Sequence, residues 1–436
     1  MVKVVYCNQK KDCTHLLGTF LSKDNYEVLL NEDVDVYGPS LDGSMTEDNI
    51  VAKFRKNLIP KDVQEQAYEG LRGAATQSQN RGIAAGPRGN ILETEGRGGR
   101  DWVTEYQLQV LDFLTRPDNA LDDSMTLEDV KKMCVGRDKT DTRGYVWVRS
   151  KVIPEQGEYD GWFDRWLMKL HNKPRDVQKA EAEHVRDVYI SDTNYAQSVM
   201  SGVAGYYGRY PRIPWGRACS YNEKNPEKFE LAFPFLRALN LKFKEVLPER
   251  WAAQKRATER LDKSFVIDDT VFTTLTVNHN WRTAAHLDAG DLGPGFSNIC
   301  GFGKGWSGGE LIAPEYNAAF NIQPGDMLFV ANHTAIHGNA ELLPPPGAEE
   351  PDRLTVVSYF REDLFDVKSW PYEQLRKQFV VERSHNKNHP DWRPLWNGVS
   401  GGMWASDEWA NYLLAHDMKD EDGLVGTSSS LESFFS

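Results

Sequence analysis

The chain has 436 residues, 40% of them hydrophobic, with 13 tryptophans and a formal net charge of −13. That is enough apolar material for a sizeable core, in one large domain or two or three smaller ones, while the lack of any apolar run near ~18 residues excludes a membrane-spanning helix. The acidic balance excludes a surface that attracts nucleic acid as a whole, although not a local basic groove.

The first stretch, MVKVVYCNQKKDC, has no apolar run of the kind a secretory signal needs. Cys7, Cys13, Cys134, Cys219 and Cys300 are scattered, odd in number and without zinc spacing, which points to a reducing, intracellular setting. Residues 1–45 mix short strand-like runs such as YEVLL with turns such as VYGPSLDGS. TEDNIVAKFRKNLIPKDVQEQAYEGLRG then reads as largely helical, broken at Pro60. Residues 79–100 are rich in Gly and Arg. They read either as a surface loop or as a loop that meets phosphates with Arg81, Arg88, Arg97 and Arg100.

The middle is helix-rich: VQKAEAEHVRDVYI, then FPFLRALNLKFKEVLPERWAAQKRATERL. In the latter, Phe235, Leu239, Phe243 and then Val246 or Leu247 form an apolar stripe fit to pack on a sheet. Past residue 265 the texture changes to short strands: VFTTLTVNHNW, GGELIAP, AAFNIQ, MLFVAN and LTVVSYF, with a turn at Pro324-Gly325-Asp326. Close strands without intervening helices suggest an antiparallel sandwich or jelly roll. GFGKGWSGG lacks both the dinucleotide and the Walker spacing and reads as a loop over a site. Pro344 to Pro346 read as an exposed turn, and Pro390 argues against a helical metal pair at His385 and His389. The acidic, Ser-rich tail reads as poorly ordered.

Within the strand region, NWRTAAHLDAGD sets His286 and Asp288 two apart, so on a strand both side chains share a face. His337 follows after MLFVAN, 337 − 286 = 51 residues on. Two imidazoles and one carboxylate can form the facial triad of non-haem iron(II), which leaves positions open for other ligands. Sixteen residues later (353 − 337 = 16), Arg353 opens the strand RLTVVSYF. A guanidinium inside a barrel needs an anionic partner, and a 2-oxoglutarate carboxylate would supply one. His279 and His333 lie near these residues in sequence but read as structural.

At these residues the chain resembles the TET/JBP group of Fe(II)/2-oxoglutarate-dependent dioxygenases. TVNHNWRTAAHLDAGD is most similar to its thymine-hydroxylase branch, the JBP enzymes and their phage relatives. The likeness runs over roughly residues 265–365 and extends into 50–260 in NRGIAAG and LPERWAAQ. It implies an α+β fold with a double-stranded β-helix (jelly-roll) core flanked by helices. It implies iron ligands His286, Asp288 and His337, with Arg353 on the far carboxylate of 2-oxoglutarate and Thr355 where the family often has a serine. Asn278 and Arg282 either hold cosubstrate and shape the pocket or make structural hydrogen bonds. The implied cofactors are Fe(II), 2-oxoglutarate and O₂. The implied partner is DNA, presenting a flipped or single-stranded pyrimidine base.

The cytosine-oxidising branch carries an Asn three residues after the metal-binding Asp and a His eight after the cosubstrate Arg. Here Asp291 and Arg361 stand there, with Tyr359 where the family stacks an aromatic on the base. An ionised Asp accepts only and an Arg donates only, which suits thymine better than 5-methylcytosine, unless the two simply pair with each other. Arg81 and Arg88 are the candidate phosphate contacts. The expected layout is an N-terminal elaboration over 1–100, helix-rich support over 101–264, the dioxygenase core over 265–365, packed with 50–264 as one catalytic domain, and a C-terminal extension over 366–436. The competing readings are the same chemistry on 5-methylcytosine, a hydroxylase of a small metabolite or protein side chain, and a non-catalytic barrel. The expected setting is intracellular, cytoplasmic or nuclear, possibly phage-encoded; oligomeric state is left open.

Overall fold

The computed structural model describes residues 2–76, 81–86, 173–192, 199–210, 213–384 and 406–419, with Leu114, Leu170 and Trp404 besides. Strands β1 (Lys3–Tyr6), β2 (Val28–Leu30), β3 (Val34–Tyr37) and β4 (Ile50–Arg55) precede helix α1 (Lys61–Leu71). Helix α2 (Arg175–Asp192) is followed by β5 (Ser201–Tyr207), β6 (Arg217–Ala218), α3 (Phe233–Val246) and α4 (Pro248–Thr258). Nine strands follow: β7 (Thr274–His279), β8 (Ser297–Gly305), β9 (Ser307–Gly308), β10 (Leu311–Ala313), β11 (Ala318–Phe320), β12 (Met327–Val330), β13 (Gly338–Asn339), β14 (Leu342–Leu343) and β15 (Asp352–Tyr359). Helices α5 (Trp370–Ser384) and α6 (Asp407–Ala415) come last among the described residues.

The larger sheet has nine described strands in the order β1-β3-β4-β12-β8-β15-β7-β5-β6, and the smaller has four, β13-β10-β11-β2. Alternation on β15 shows how they are used. Leu354 and Val356 point to one face and join Phe235, Leu239 and Phe243 of α3 and Ala67 and Leu71 of α1 in one buried cluster. The opposite face of the larger sheet, through Phe54, Ile299, Leu328 and Val330, packs on Leu311, Ala318 and Phe320 of the smaller. Phe54 meets Phe320 edge-on at 6.0 Å. The result is an α+β fold of two packed sheets with helices on the outer face of the larger.

Local chemistry explains the helices. Phe235, Leu239 and Phe243 recur every four residues, so α3 has one apolar side. The chain then leaves the helix at Leu247 (φ −140°, ψ 64°), because Pro248 disfavours helical backbone before it and suits the first turn of α4.

Two expectations need correction. Residues 50–55 form β4, not helix: Met327–Val330 pairs antiparallel with residues 52–55, and Ile50, Val51, Ala52 and Phe54 are buried. GFGKGWSGG is no loop throughout, since β8 runs on to Gly305 beside β15. One compact unit joins Met1–Ser78 to Gln197–Ser436, and a second spans Gln79–Ala196. The physical reason is strand pairing: β4 pairs with β12, and β2 runs parallel to β11. No helix among the described residues is long and apolar enough to cross a membrane.

Candidate metal centre

His286 and His337 are brought together by their backbones. Each donates its N–H to the other's carbonyl, at 2.9 and 3.0 Å, and their rings lie 4.3 Å apart. Gly338 permits this approach, since a Cβ there would stand 2.9 Å from the backbone of Ala284 and Ala285. Asp288 completes the group: its two oxygens lie 3.4 Å from His286 Nε2 and 3.6 Å from His337 Nε2. One ligand atom from each residue falls within 4.8 Å of the other two.

The donor set fits a divalent metal on its own geometry. Nδ1 of His286 donates to Ala284 O at 2.8 Å and Nδ1 of His337 to Ala335 O at 2.9 Å. With Nδ1 protonated, Nε2 of each ring keeps its lone pair for a metal. Asp288 is held in the charged form that a ligand needs. Burial alone would push its carboxyl up, but hydrogen bonds and charge from His286 and His337 outweigh that and hold it far below the usual carboxylate range. Burial likewise opposes charge on His286, and Asp288 overcomes it, so the imidazole titrates above its ordinary value.

Arg353 lies on the inner face of β15, two residues from Thr355 and six from Tyr359, all three buried. Burial pushes its guanidinium down to about 10, against the pull of Glu310. Its Nε has no hydrogen-bond partner among the described residues, and Trp306 covers the group with its ring centroid 5.7 Å away. Gly309 (φ +67°) makes the room, because a Cβ there would come within 3.3 Å of Nη1. A buried cation with an orphaned donor fits an anionic ligand such as the carboxylate of 2-oxoglutarate.

The remaining expected residues separate. Asn278, the register partner of Thr355, accepts from Ser201 Oγ at 2.5 Å. Arg282 donates to Leu21 O at 2.5 Å and to Asn339 O at 3.2 Å and lies over the Phe20 ring. Asp291 and Arg361 are backbone neighbours, yet no hydrogen bond joins their side chains. Asp291 bonds the Ser297 hydroxyl at 2.5 Å, whereas Arg361 Nε donates to Asp363 at 2.8 Å. Burial, and then Asp288, push the Asp291 carboxyl well above the usual range. Tyr359 sits beside them, its hydroxyl 3.4 Å from Thr276 Oγ1. Arg81 is half-buried at the start of a short turn of helix, Gly82–Ala85. Arg88, Arg97 and Arg100, like His385 and His389, lie outside the described residues. His279 is structural, facing Asp352 at 3.4 Å.

Sequence reading missed Asn332, whose side-chain amide donates to Asp288 Oδ2 at 3.0 Å and whose carbonyl takes the Asp288 N–H at 3.1 Å. It also missed Glu315, buried and far from the ligands in sequence. Glu315 accepts the Ile336 N–H at 2.8 Å and pairs with Lys10 at 3.2 Å, and Lys10 donates to Thr334 O at 2.9 Å. The loop before His337 is thereby clamped on both sides. A cavity of about 130 Å³ opens beside Asp291, Ser297, Asn332 and His333.

Residues 205–362 match the model of the Tet_JBP family, described as the oxygenase domain of the 2OGFeDO superfamily. Over this segment the chain is similar to the Tet_JBP oxygenase domain. The family match takes in all three triad residues and Arg353. Among curated relatives, thymine dioxygenase JBP1 of Crithidia fasciculata is 32% identical over 211 residues, 48% of this chain and 25% of that protein. Thymine dioxygenase JBP1 of Leishmania braziliensis is 32% identical over 205 residues, 47% of this chain and 24% of that protein. The matched part of the chain thus spans about a quarter of these relatives' length. The solved structure of NgTET1 in complex with 5mC DNA aligns with TM-score 0.38 at 11% identity, over 86% of this chain and 90% of that one.

Proposed function

We propose that the chain is an Fe(II)/2-oxoglutarate-dependent dioxygenase that hydroxylates the 5-methyl group of a pyrimidine in DNA, converting thymine to 5-hydroxymethyluracil. The observation that carries the reading is the convergence of His286, Asp288 and His337 together with a buried, incompletely satisfied Arg353 on the inner face of β15. Iron(II), 2-oxoglutarate and O₂, when bound, supply the oxidation of a C–H bond; the protein supplies position and shielding. His286, Asp288 and His337 hold the metal. Arg353, walled by Trp306, anchors the cosubstrate, with Thr355 beside it and Asn278 across the strand pair.

The strand order β7-β15-β8-β12 facing β13-β10-β11, with the His286–His337 bridge between, supports a double-stranded β-helix as the finer description of the core. For the base, Arg361 carries the discrimination. A guanidinium donates only, which matches the O4 acceptor of thymine and mismatches the amino group of 5-methylcytosine. A donor left facing a donor costs on the order of 1–3 kcal/mol. Tyr359 is offered as the ring that meets the base, and Asp291 as a further contact on the same edge. Arg81 and Arg88 are offered as contacts to the strand's phosphates. The names of the JBP1 relatives support thymine as the substrate. The free thiols of Cys7, Cys13, Cys219 and Cys300 support an intracellular setting.

Thymine and 5-methylcytosine in otherwise identical oligonucleotides, supplied together with iron and 2-oxoglutarate, test this by mass spectrometry of the released nucleosides. 5-Hydroxymethyluracil should dominate, and it should vanish with His286→Ala or Asp288→Ala. Arg353→Ala should weaken cosubstrate binding. A clear preference for 5-methylcytosine overturns the base assignment; full activity in a triad variant overturns the enzyme.

A further inference from the structure

Tyr207 ends β5, and two guanidinium groups lie over its ring. The central carbon of Arg217, from β6, is 4.8 Å from the ring centroid, and that of Arg361 is 4.9 Å. The Cys219 thiol contacts Tyr207 by a hydrogen bond. Two like charges on one ring repel each other, and one carboxylate answers them. Asp363 takes Arg361 Nε at 2.8 Å, and its other oxygen takes the Gly208 N–H at 3.1 Å. Arg217 donates to Gly208 O at 3.1 Å, and no carboxylate among the described residues bonds it. It is half-buried, and burial holds its basicity down against the opposing pull of Tyr207, Cys219 and Asp363.

An excess positive charge is thus held, at a desolvation cost, on a chain whose net charge is −13. Arg361 links the pair to the metal centre, since its backbone bridges that of Asp291, whose N–H donates to Asp288 O at 3.3 Å. A planar, ring-stacked guanidinium matches two non-bridging phosphate oxygens with paired hydrogen bonds. The ring contact holds the group in place before any ligand arrives.

We propose that Arg217, braced on Tyr207, forms a phosphodiester subsite beside the metal centre, binding the phosphate next to the target nucleotide while Arg361 stays on the base edge. This rests on the nucleic-acid reading above. The subsite holds the strand by a group that reads no sequence, and so positions the base without selecting its neighbours.

The test pairs a protein change with a substrate change. Binding of a labelled single-stranded oligonucleotide is measured for the wild-type chain, Arg217→Ala and Arg217→Gln. The last keeps a donor for Gly208 O and so guards against simple misfolding. Each strand is prepared unmodified, or with an uncharged methylphosphonate at one linkage flanking the target thymine. The wild type should lose affinity on the order of tenfold with the methylphosphonate on one side. Both variants should bind the unmodified strand more weakly, with a salt slope lower by about one unit, and should be indifferent to the methylphosphonate. Equal losses in wild type and variants, or a wild type indifferent to both modified linkages, overturn the subsite alone. Failure of the wild type to bind the unmodified strand at low salt sinks the nucleic-acid reading, and the subsite with it.

Discussion

Asn332 is no ligand, yet it holds Asp288 from two directions, with a side-chain amide at 3.0 Å and a backbone carbonyl at 3.1 Å. Groups that orient a ligand in this way typically contribute 10–100-fold to metal affinity. Asn332→Ala should therefore weaken Mn(II) or Co(II) binding by roughly 10–100-fold with the fold retained, as read by calorimetric titration; unchanged affinity would make the contact incidental. A second residue sets behaviour in acid. Burial would raise the Asp352 carboxyl, but the Tyr68 hydroxyl at 2.7 Å, the Lys304 N–H at 3.1 Å and His279 together hold it below its ordinary 3.8. A depressed carboxyl stabilises the fold fully above the unfolded value and loses that contribution as pH falls through the folded one. Urea midpoints measured down the acid limb from about pH 5 to 2 should fall less steeply for Asp352→Asn than for the wild type. The grouping of His286, Asp288 and His337 was legible from their spacing, although His286 stands in an isolated bridge and Asp288 outside any strand. Asn332, Trp306 and Glu315 were not: each acts on a residue far along the chain, at a distance that no local spacing encodes.

At the scale of elements, β15 divides its work by alternation, Leu354 and Val356 toward α1 and α3, Arg353 and Tyr359 inward. That division was readable, as were α3, the strands after residue 265 and the turn at Gly325. β4 was not. Lys53 and Arg55, which pair with Asp35, look in sequence like the polar face of a helix; β4 is instead an inner strand between β3 and β12, the latter more than 270 residues on. Phe54 shows the weight of this element. It is fully buried between the sheets and meets Phe320 at 6.0 Å. Truncating such a ring leaves a cavity that neighbours fill poorly, so Phe54→Ala should destabilise by about 3–5 kcal/mol in urea unfolding. A change under about 1 kcal/mol would mean that the two sheets repack without it.

For the whole molecule, the family match and the folding unit are different things. The match begins at residue 205 and ends at 362, whereas β12 takes its outer neighbour from β4 and β11 from β2. A fragment of 205–362 would expose two unpaired sheet edges and half of the inter-sheet core. It should be recovered as aggregate or as an expanded, dye-binding species, while the full chain gives a cooperative unfolding transition; a monomeric, cooperatively unfolding fragment would refute this. The same pairing imposes a delay during synthesis. Between Arg55 and Met327 lie 327 − 55 = 272 residues of distance along the chain. At roughly 5–20 residues per second, β4 leaves the ribosome some 14–54 s before its partner exists. Through that interval β4 has β3 beside it but not β12, and Ala52 and Phe54 lack the Phe320 side of the inter-sheet core, so the nascent chain, rather than the finished one, is where this protein is most exposed to capture by chaperones.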